Sequence, residues 1–417
     1  MPAAAPARTF RCRFCDELLT CSLIDLGMSP LCEDFIRGSE LSDPETFYPL
    51  EVMVCAGCGL AQVDQFTPRG GIFDDDYGYY SSISTTWMRH AKRYVDMVIA
   101  RFRLDCDSTV VEVASNDGYL LRNFVDLGIP CYGIDPSANV AEAAGKVGVE
   151  TLVEFFGADL ADRLRAERGP ADLLIGNNVL AHTPDLKGFL AGVSTLVAPG
   201  GQATFEFPHL MRLMDGVQFD TIYHEHFSYF SLYTVSRLFE SVGMRVVDVE
   251  QLPTHGGSMR IFVEHVARGT AISERVGRLV EEEERFGLRD MATYASFPAR
   301  VHDVKYGLLE LLVELKRAGK RVVGYGAPGK GNTLLNYCGI KPDLLEYTCD
   351  RSAHKHGRRC PGSRIPIHPP SKIDEDRPDV ILILPWNLTA EITAQLAHTR
   401  EWGARFAVPL PVARLLD

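Results

Sequence analysis

The chain has 417 residues, 46% hydrophobic and 24% charged, with 43 Lys and Arg against 55 Asp and Glu for a formal net charge of −12. That length predicts two or three domains and the composition a folded globular protein. The acidic excess argues against nucleic acid as a partner, because neutralising phosphate needs clustered Lys and Arg. No run approaches the roughly 20 apolar residues of a membrane-crossing helix, so no membrane partner is expected.

Residues 1–9 are rich in Ala and Pro and lack an apolar signal core; they read as a disordered tail rather than an export signal. Most of the 11 cysteines are scattered through apolar or strand-like stretches and read as buried free thiols. Together these features predict a cytoplasmic, reduced protein, and a monomer is expected.

Residues 1–75 are loop-rich and hold the two cysteine pairs. Cys12 and Cys15 form one Cys-x-x-Cys, and Cys55 and Cys58 form another, with 39 residues between the pairs. Four thiolates suit tetrahedral Zn2+ with no open position for a substrate, so the expected metal is structural. At this long spacing, unrelated free thiols or a redox pair are the competing reading. Cys21 and Cys32 lie nearby but outside the pairs.

Residues 76–270 alternate helical and apolar runs, with strands predicted at 109–113, 131–134, 151–155, 173–176 and 202–207. Such alternation implies a parallel, doubly wound sheet. Two further runs, 245–250 and 260–265, suit a terminal antiparallel hairpin. The stretch VVEVASNDGYL after residue 109 looks like the first methyltransferase motif. Glu112 and Gly118 match it, while Ala114 and Asn116 stand where glycines are usual. Asp135 closes the second strand, where an acid accepts hydrogen bonds from ribose hydroxyls. Asn177 and Asn178 end the fourth strand, positioned to present carbonyls to a sulfonium or amino group; turn chemistry is their alternative. A nicotinamide enzyme would also use such a sheet, but its Gly-x-Gly-x-x-Gly is missing.

The sequence DTIYHEHFSYF, residues 220–230, follows the fifth strand. His224, Glu225 and His226 lack the helical His-Glu-x-x-His spacing of a metal site. General acid–base work is therefore preferred over a metal or a packed structural cluster. Residues 271–317 read as helical, and the run Glu281-Glu282-Glu283-Glu284-Arg285 as a solvated helix face. Residues 271–417 then close with a second Rossmann-like α/β domain, whose strands are predicted at 321–325, 346–349 and 380–384. Its first strand leads into GYGAPGKGNTLLNYC, a glycine-rich turn opening a helix. Such a helix start binds anions, though this one is not a Walker loop.

The paired cysteines, EVASNDGYLL, YHEHFSYFS and GYGAPGKGNTLLNYC together resemble the sugar C-methyltransferases that act on nucleotide-linked keto-deoxysugars of antibiotic pathways. The resemblance spans most of the chain. It implies S-adenosylmethionine as cofactor and a dTDP-linked keto-deoxysugar as substrate, specifically dTDP-3-amino-2,3,6-trideoxy-4-keto-D-glucose methylated at carbon 3. A carbon beside a ketone is acidic because its carbanion delocalises as an enolate, so the reaction needs a base and an oxyanion donor. By resemblance His226 is the base, Tyr223 and Glu225 orient it or the substrate, and His224 is a weaker candidate. Tyr77 and His182 would line the sugar pocket. Lys330 and Asn332 would contact the thymidine diphosphate. Methylation at carbon 5, O- or N-methylation of another small molecule, and a non-catalytic zinc-ribbon interaction protein remain as alternatives.

Overall fold

The computed structural model describes residues 10–66 and 80–416; Tyr77 lies outside the described residues. Among them the strands form three sheets. The first is antiparallel: β1 (Cys21–Ser29), β2 (Tyr48–Val54) and β3 (Ala61–Val63). The second follows the parallel run read from the sequence, with β4 (Val110–Val113), β5 (Cys131–Ile134), β6 (Thr151–Leu152), β7 (Ala171–Asn177) and β8 (Val197–Pro208) joined by helices. After β8 a two-residue strand, β9 (Ser228–Tyr229), joins the first sheet as its fourth strand, antiparallel to β3. The hairpin β10 (Met244–Leu252) and β11 (Ser258–His265) closes the seven-stranded sheet, with order β10-β11-β8-β7-β4-β5-β6.

β4 is buried along its whole length, as a parallel strand covered on both faces must be. The helix Thr85–Phe102 covers one face. Ser84 caps it, its hydroxyl accepting from the Trp87 amide at 3.2 Å, and Trp87, His90, Ala91, Tyr94, Val95 and Val98 turn inward at helical spacing. The predicted strand 151–155 stops at Leu152, because this is the sheet edge and Val153 and Phe155 face solvent.

The third sheet has the order β14-β13-β12-β15-β16-β17. Its parallel strands are β12 (Val322–Tyr325), β13 (Thr348–Cys349), β14 (Ile367–His368), β15 (Val380–Ile383) and β16 (Arg405–Val408), and β17 (Arg414–Leu415) is antiparallel. β14, β16 and β17 have no counterpart among the predicted strands: two are only two residues long, and Arg405–Val408 is a four-residue run that begins on an exposed Arg. The predicted strand 346–349 is regular only over Thr348–Cys349, although the Glu346 amide already donates to the Val322 carbonyl at 3.3 Å.

The helical region comprises Glu274–Phe286, Met291–Ala295 and Phe297–Arg317. Its acidic run is not uniformly solvated. Glu283 is buried, its Oε1 lies 2.7 Å from His209 Nε2, and its carboxylate accepts from the amides of Leu232 and Tyr233 at 2.5 and 3.0 Å. It therefore caps the helix Leu232–Glu240 from another element, a role that one sequence-local view of a charge run does not reveal. Glu283→Ala strands three buried donors, and an unfolding free energy lower by about 3 kcal/mol is expected from urea titration. Glu281→Ala on the exposed face should change it by less than about 0.5 kcal/mol; equal effects would contradict the buried cap.

Candidate active site and metal centre

The knuckles converge as their spacing predicted. Sγ atoms of Cys12, Cys15, Cys55 and Cys58 all lie within 4.8 Å of one another, with Cys12–Cys58 at 3.5 Å and Cys15–Cys55 at 3.4 Å. Edges near these values match a tetrahedron of about 3.8 Å around a metal with ~2.3 Å zinc–sulfur bonds. Gln62 Nε2 donates to Cys12 Sγ at 3.3 Å, an outer-sphere contact that steadies a thiolate ligand. Cys21 and Cys32 are not members of the cluster.

The crevice over β4, β5 and β7 carries the residues expected for the methyl donor. Ala114 (φ 59°), Asn116 (φ 50°) and Gly118 (φ 75°) all take left-handed backbone conformations. The turn thus keeps the shape of a glycine loop with only its last glycine retained. At Gly118 a Cβ would also stand 3.1 Å from methyls of Val147 and Val149. Glu112 is fully buried beside Tyr119, and burial with the charges of Asp135 and Asp117 pushes its pKa well up. Asp135 is likewise raised by burial, although it accepts from the amides of Ser137 and Asn116, each at 3.0 Å. Asn177 Oδ1 and Ser137 Oγ are buried without partners. Orphaned acceptors gathered at the carboxyl ends of parallel strands fit the hydroxyls and ammonium of S-adenosylmethionine.

The second cluster surrounds residues 219–230. His226 Nδ1 donates to the Thr221 carbonyl at 2.8 Å, which leaves the lone pair on Nε2. Burial, then the neighbouring His182, push its pKa well below 6.5, so the imidazole is neutral. The Tyr223 ring lies 3.9 Å from it and the His182 ring 4.7 Å, centroid to centroid. Burial also holds His182 down to about 4. Glu225 accepts from the Cys32 thiol at 3.7 Å, burial together with Glu33 lifts its carboxyl to about 8, and its charge acts in turn on Tyr223. His224 points to the first sheet, with Nε2 3.2 Å from the Pro49 carbonyl and its ring edge-on to Tyr48.

The glycine-rich turn opens the helix Gly329–Cys338, whose first turns dock on the same loop: Thr333 donates to the Ile222 carbonyl at 3.0 Å. Lys330 donates to Asn387 at 3.0 Å, lies over the Trp386 ring at 5.1 Å, and acts electrostatically on Asp220, His226 and His255. It therefore shares the cleft of His226. Asn332 is buried, its Nδ2 donating to the Cys32 carbonyl at 2.6 Å while its Oδ1 meets no partner.

Three members of this cleft were not singled out from sequence. Asp220, raised by burial to about 6, accepts from Trp386 Nε1 at 2.6 Å. His255 sits between β10 and β11, 3.4 Å from Asn178 Nδ2. The Thr-His-Gly-Gly string of residues 254–257 was its available signal, yet it reads as an ordinary hairpin loop. Trp386 follows the carboxyl end of a parallel strand, where ligands gather.

Residues 253–411 match a family described as a C-methyltransferase C-terminal domain, residues 87–249 one described as a methyltransferase domain, and residues 12–73 a domain named for zinc binding. A C-methyltransferase of Streptomyces niveus, NovU, is 36% identical over 406 residues, covering 97% of this chain and 96% of its own. Solved structures give more distant likenesses. A 1,6-didemethyltoxoflavin N1-methyltransferase of Burkholderia thailandensis is 17% identical, with TM-score 0.35, covering 49% of this chain and 94% of its own. A magnesium protoporphyrin IX methyltransferase of Synechocystis is 15% identical, with TM-score 0.31, covering 47% and 88%.

The protein purified without chelator is expected to hold one zinc per chain by metal analysis. Cys58→Ser should lose it and melt several degrees lower, since the ligand set supplies folding free energy. Metal-free protein melting with the holoprotein would contradict a structural zinc.

Proposed function

This chain belongs to the C-methyltransferase family, and from that premise we propose that it methylates carbon 3 of a dTDP-linked 4-keto-deoxyamino sugar in deoxysugar biosynthesis in the cytoplasm. The observation that carries the reading is His226: a buried, neutral imidazole with Nδ1 fixed on a carbonyl and Nε2 left as a base. The sugar-nucleotide class rests on the resemblance of YHEHFSYFS and GYGAPGKGNTLLNYC to enzymes of that kind.

Glu112, Asp135, Asn177 and Asn178, with the turn Ala114–Asn116–Gly118, hold S-adenosylmethionine. Bound there, it supplies an electrophilic methyl group on sulfur. His226 Nε2 removes the proton from the carbon beside the ketone, and the pair of electrons left behind spreads onto the ketone oxygen. Tyr223, packed on the His226 ring, fixes the base and the sugar face. His182 lines the opposite side. Glu225, protonated at neutral pH, braces the loop through Cys32. Lys330 supplies the cation for the sugar nucleotide, and Asn332 anchors the turn that presents it. The burial that keeps His226 unprotonated also keeps water from the enolate.

The decisive experiment incubates the enzyme with labelled S-adenosylmethionine and dTDP-linked 4-keto sugars and locates the label by NMR. Label on carbon 3 is expected; label on carbon 5, oxygen or nitrogen would overturn the assignment. The same reaction gives a pH test. A base lowered below 6.5 stays unprotonated until the pH falls through that depressed value. The acid limb of kcat/KM should therefore lie below pH 6.5, and a limb at or above it would contradict the buried base.

A further inference from the structure

His255 carries a constraint that the proposed reaction does not yet use. Its φ is 53° and ψ 20°, a left-handed conformation that costs a Cβ-bearing residue strain and that Gly or Asn would take more easily. The two residues after it are already glycines. The turn is nevertheless locked. Thr254 donates to the buried Glu206 carboxylate at 2.9 Å, and Glu206 is itself held by His90 at 2.8 Å and by Arg260. At Gly256 (φ 90°) a Cβ would stand 2.4 Å from the Trp386 ring, and Gln218 Nε2 donates to the Gly256 carbonyl at 2.7 Å. A surrounding structure that over-determines one strained residue marks a side chain kept for function.

The imidazole is also oriented. The Asn178 amide donates to its Nε2 at 3.4 Å, which puts the ring proton on Nδ1, and the ring stands edge-on to Trp87 at 5.1 Å and 63°. Burial, then the Lys330 ammonium, push its pKa down to about 4, so the ring is neutral. Asn178 belongs to the donor crevice, whereas Lys330 and His226 belong to the acceptor side. His255 bridges the two.

We propose that His255 is a substrate-contacting catalytic residue whose Nδ1–H donates a hydrogen bond to the ketone oxygen of the acceptor as that oxygen takes up negative charge. This rests on the C-methylation reading above. As His226 Nε2 takes the proton from carbon, the C–H electrons form the carbon–carbon double bond and the carbonyl π pair moves to oxygen. The Nδ1 proton stays on nitrogen, because a neutral imidazole is a far weaker acid than an imidazolium. Lys330 offsets the developing charge without itself giving up a proton.

The test uses the holoprotein as wild type and His255→Gly, with and without added imidazole. It follows deuterium uptake next to the ketone of dTDP-3-amino-2,3,6-trideoxy-4-keto-D-glucose in D2O by NMR, with S-adenosylhomocysteine present. His255→Gly trades the left-handed strain for greater freedom of the unfolded chain, so it is expected to melt within a few degrees of wild type and to bind S-adenosylhomocysteine equally well by calorimetry. Its deuterium uptake should fall roughly 100-fold, the effect of losing one oxyanion donor, and added imidazole should recover about tenfold of that loss. A merely structural residue would show neither the stable, inactive variant nor the rescue. Uptake in His255→Gly within about threefold of wild type would overturn the proposal while leaving C-methylation intact. If the glycine variant melts lower, the imidazole rescue decides: uptake that added imidazole leaves unchanged overturns the proposal. A wild type that takes up no deuterium from any 4-keto sugar nucleotide would overturn the C-methylation reading and this role together.

Discussion

Two short backbone pairings hold the proposed chemistry in place. Ala61 and Gln62 of β3 pair with Tyr229 and Ser228 of β9, and the Val63 amide donates to the Phe227 carbonyl at 3.1 Å. His226 is thereby tied directly to the strand that follows the second cysteine knuckle. The Thr221, Ile222 and His226 amides close local turns on the Gln218, Phe219 and Tyr223 carbonyls, so it is the Phe227–Tyr229 backbone, next to His226, that depends on that edge. The knuckle also grips the segment beyond: Thr234 and Arg237 donate to the carbonyls of Cys58 and Gly57 at 3.4 and 2.7 Å. A metal site with no open coordination position can thus govern a reaction it never touches.

The loop is clasped from the other side by the third sheet. Thr333 reaches Ile222, Trp386 reaches Asp220, and Asn332 reaches Cys32, whose thiol touches Glu225. Glu33 and Lys355 continue this seam as an ion pair at 3.2 Å. The donor crevice, the proposed base and the cation of the glycine-rich turn therefore come from three sheets that meet at one loop. Such an arrangement suits methyl transfer between carbon and sulfur, where angle and distance matter more than any single strong contact.

Much of this was legible because it is local. The knuckles announce themselves through spacing, and the runs at 110–113 and 131–134 through short, mostly apolar stretches flanked by turn chemistry. The Glu112–Gly118 turn and Asp135 follow from the position of parallel strand ends. What stayed hidden is long-range. Glu283 looks solvated until His209 and the start of the helix Leu232–Glu240 are brought to it. Cys32 looks like a stray thiol until the third sheet presses it against Glu225. His255 is invisible because nothing in a hairpin loop says that its φ will be positive. For His226 the sequence offers the residue type, while the burial that holds its imidazole neutral comes from the fold.

The central claim is that the zinc-bearing sheet sets the proposed base through β9. Amide hydrogen exchange on the full chain, followed before and after zinc is chelated, tests it most directly. Loss of the metal is expected to speed exchange across residues 219–230 while residues 110–135, with their own sheet intact, stay protected. Unchanged protection at 226–229 in zinc-free protein would contradict the account.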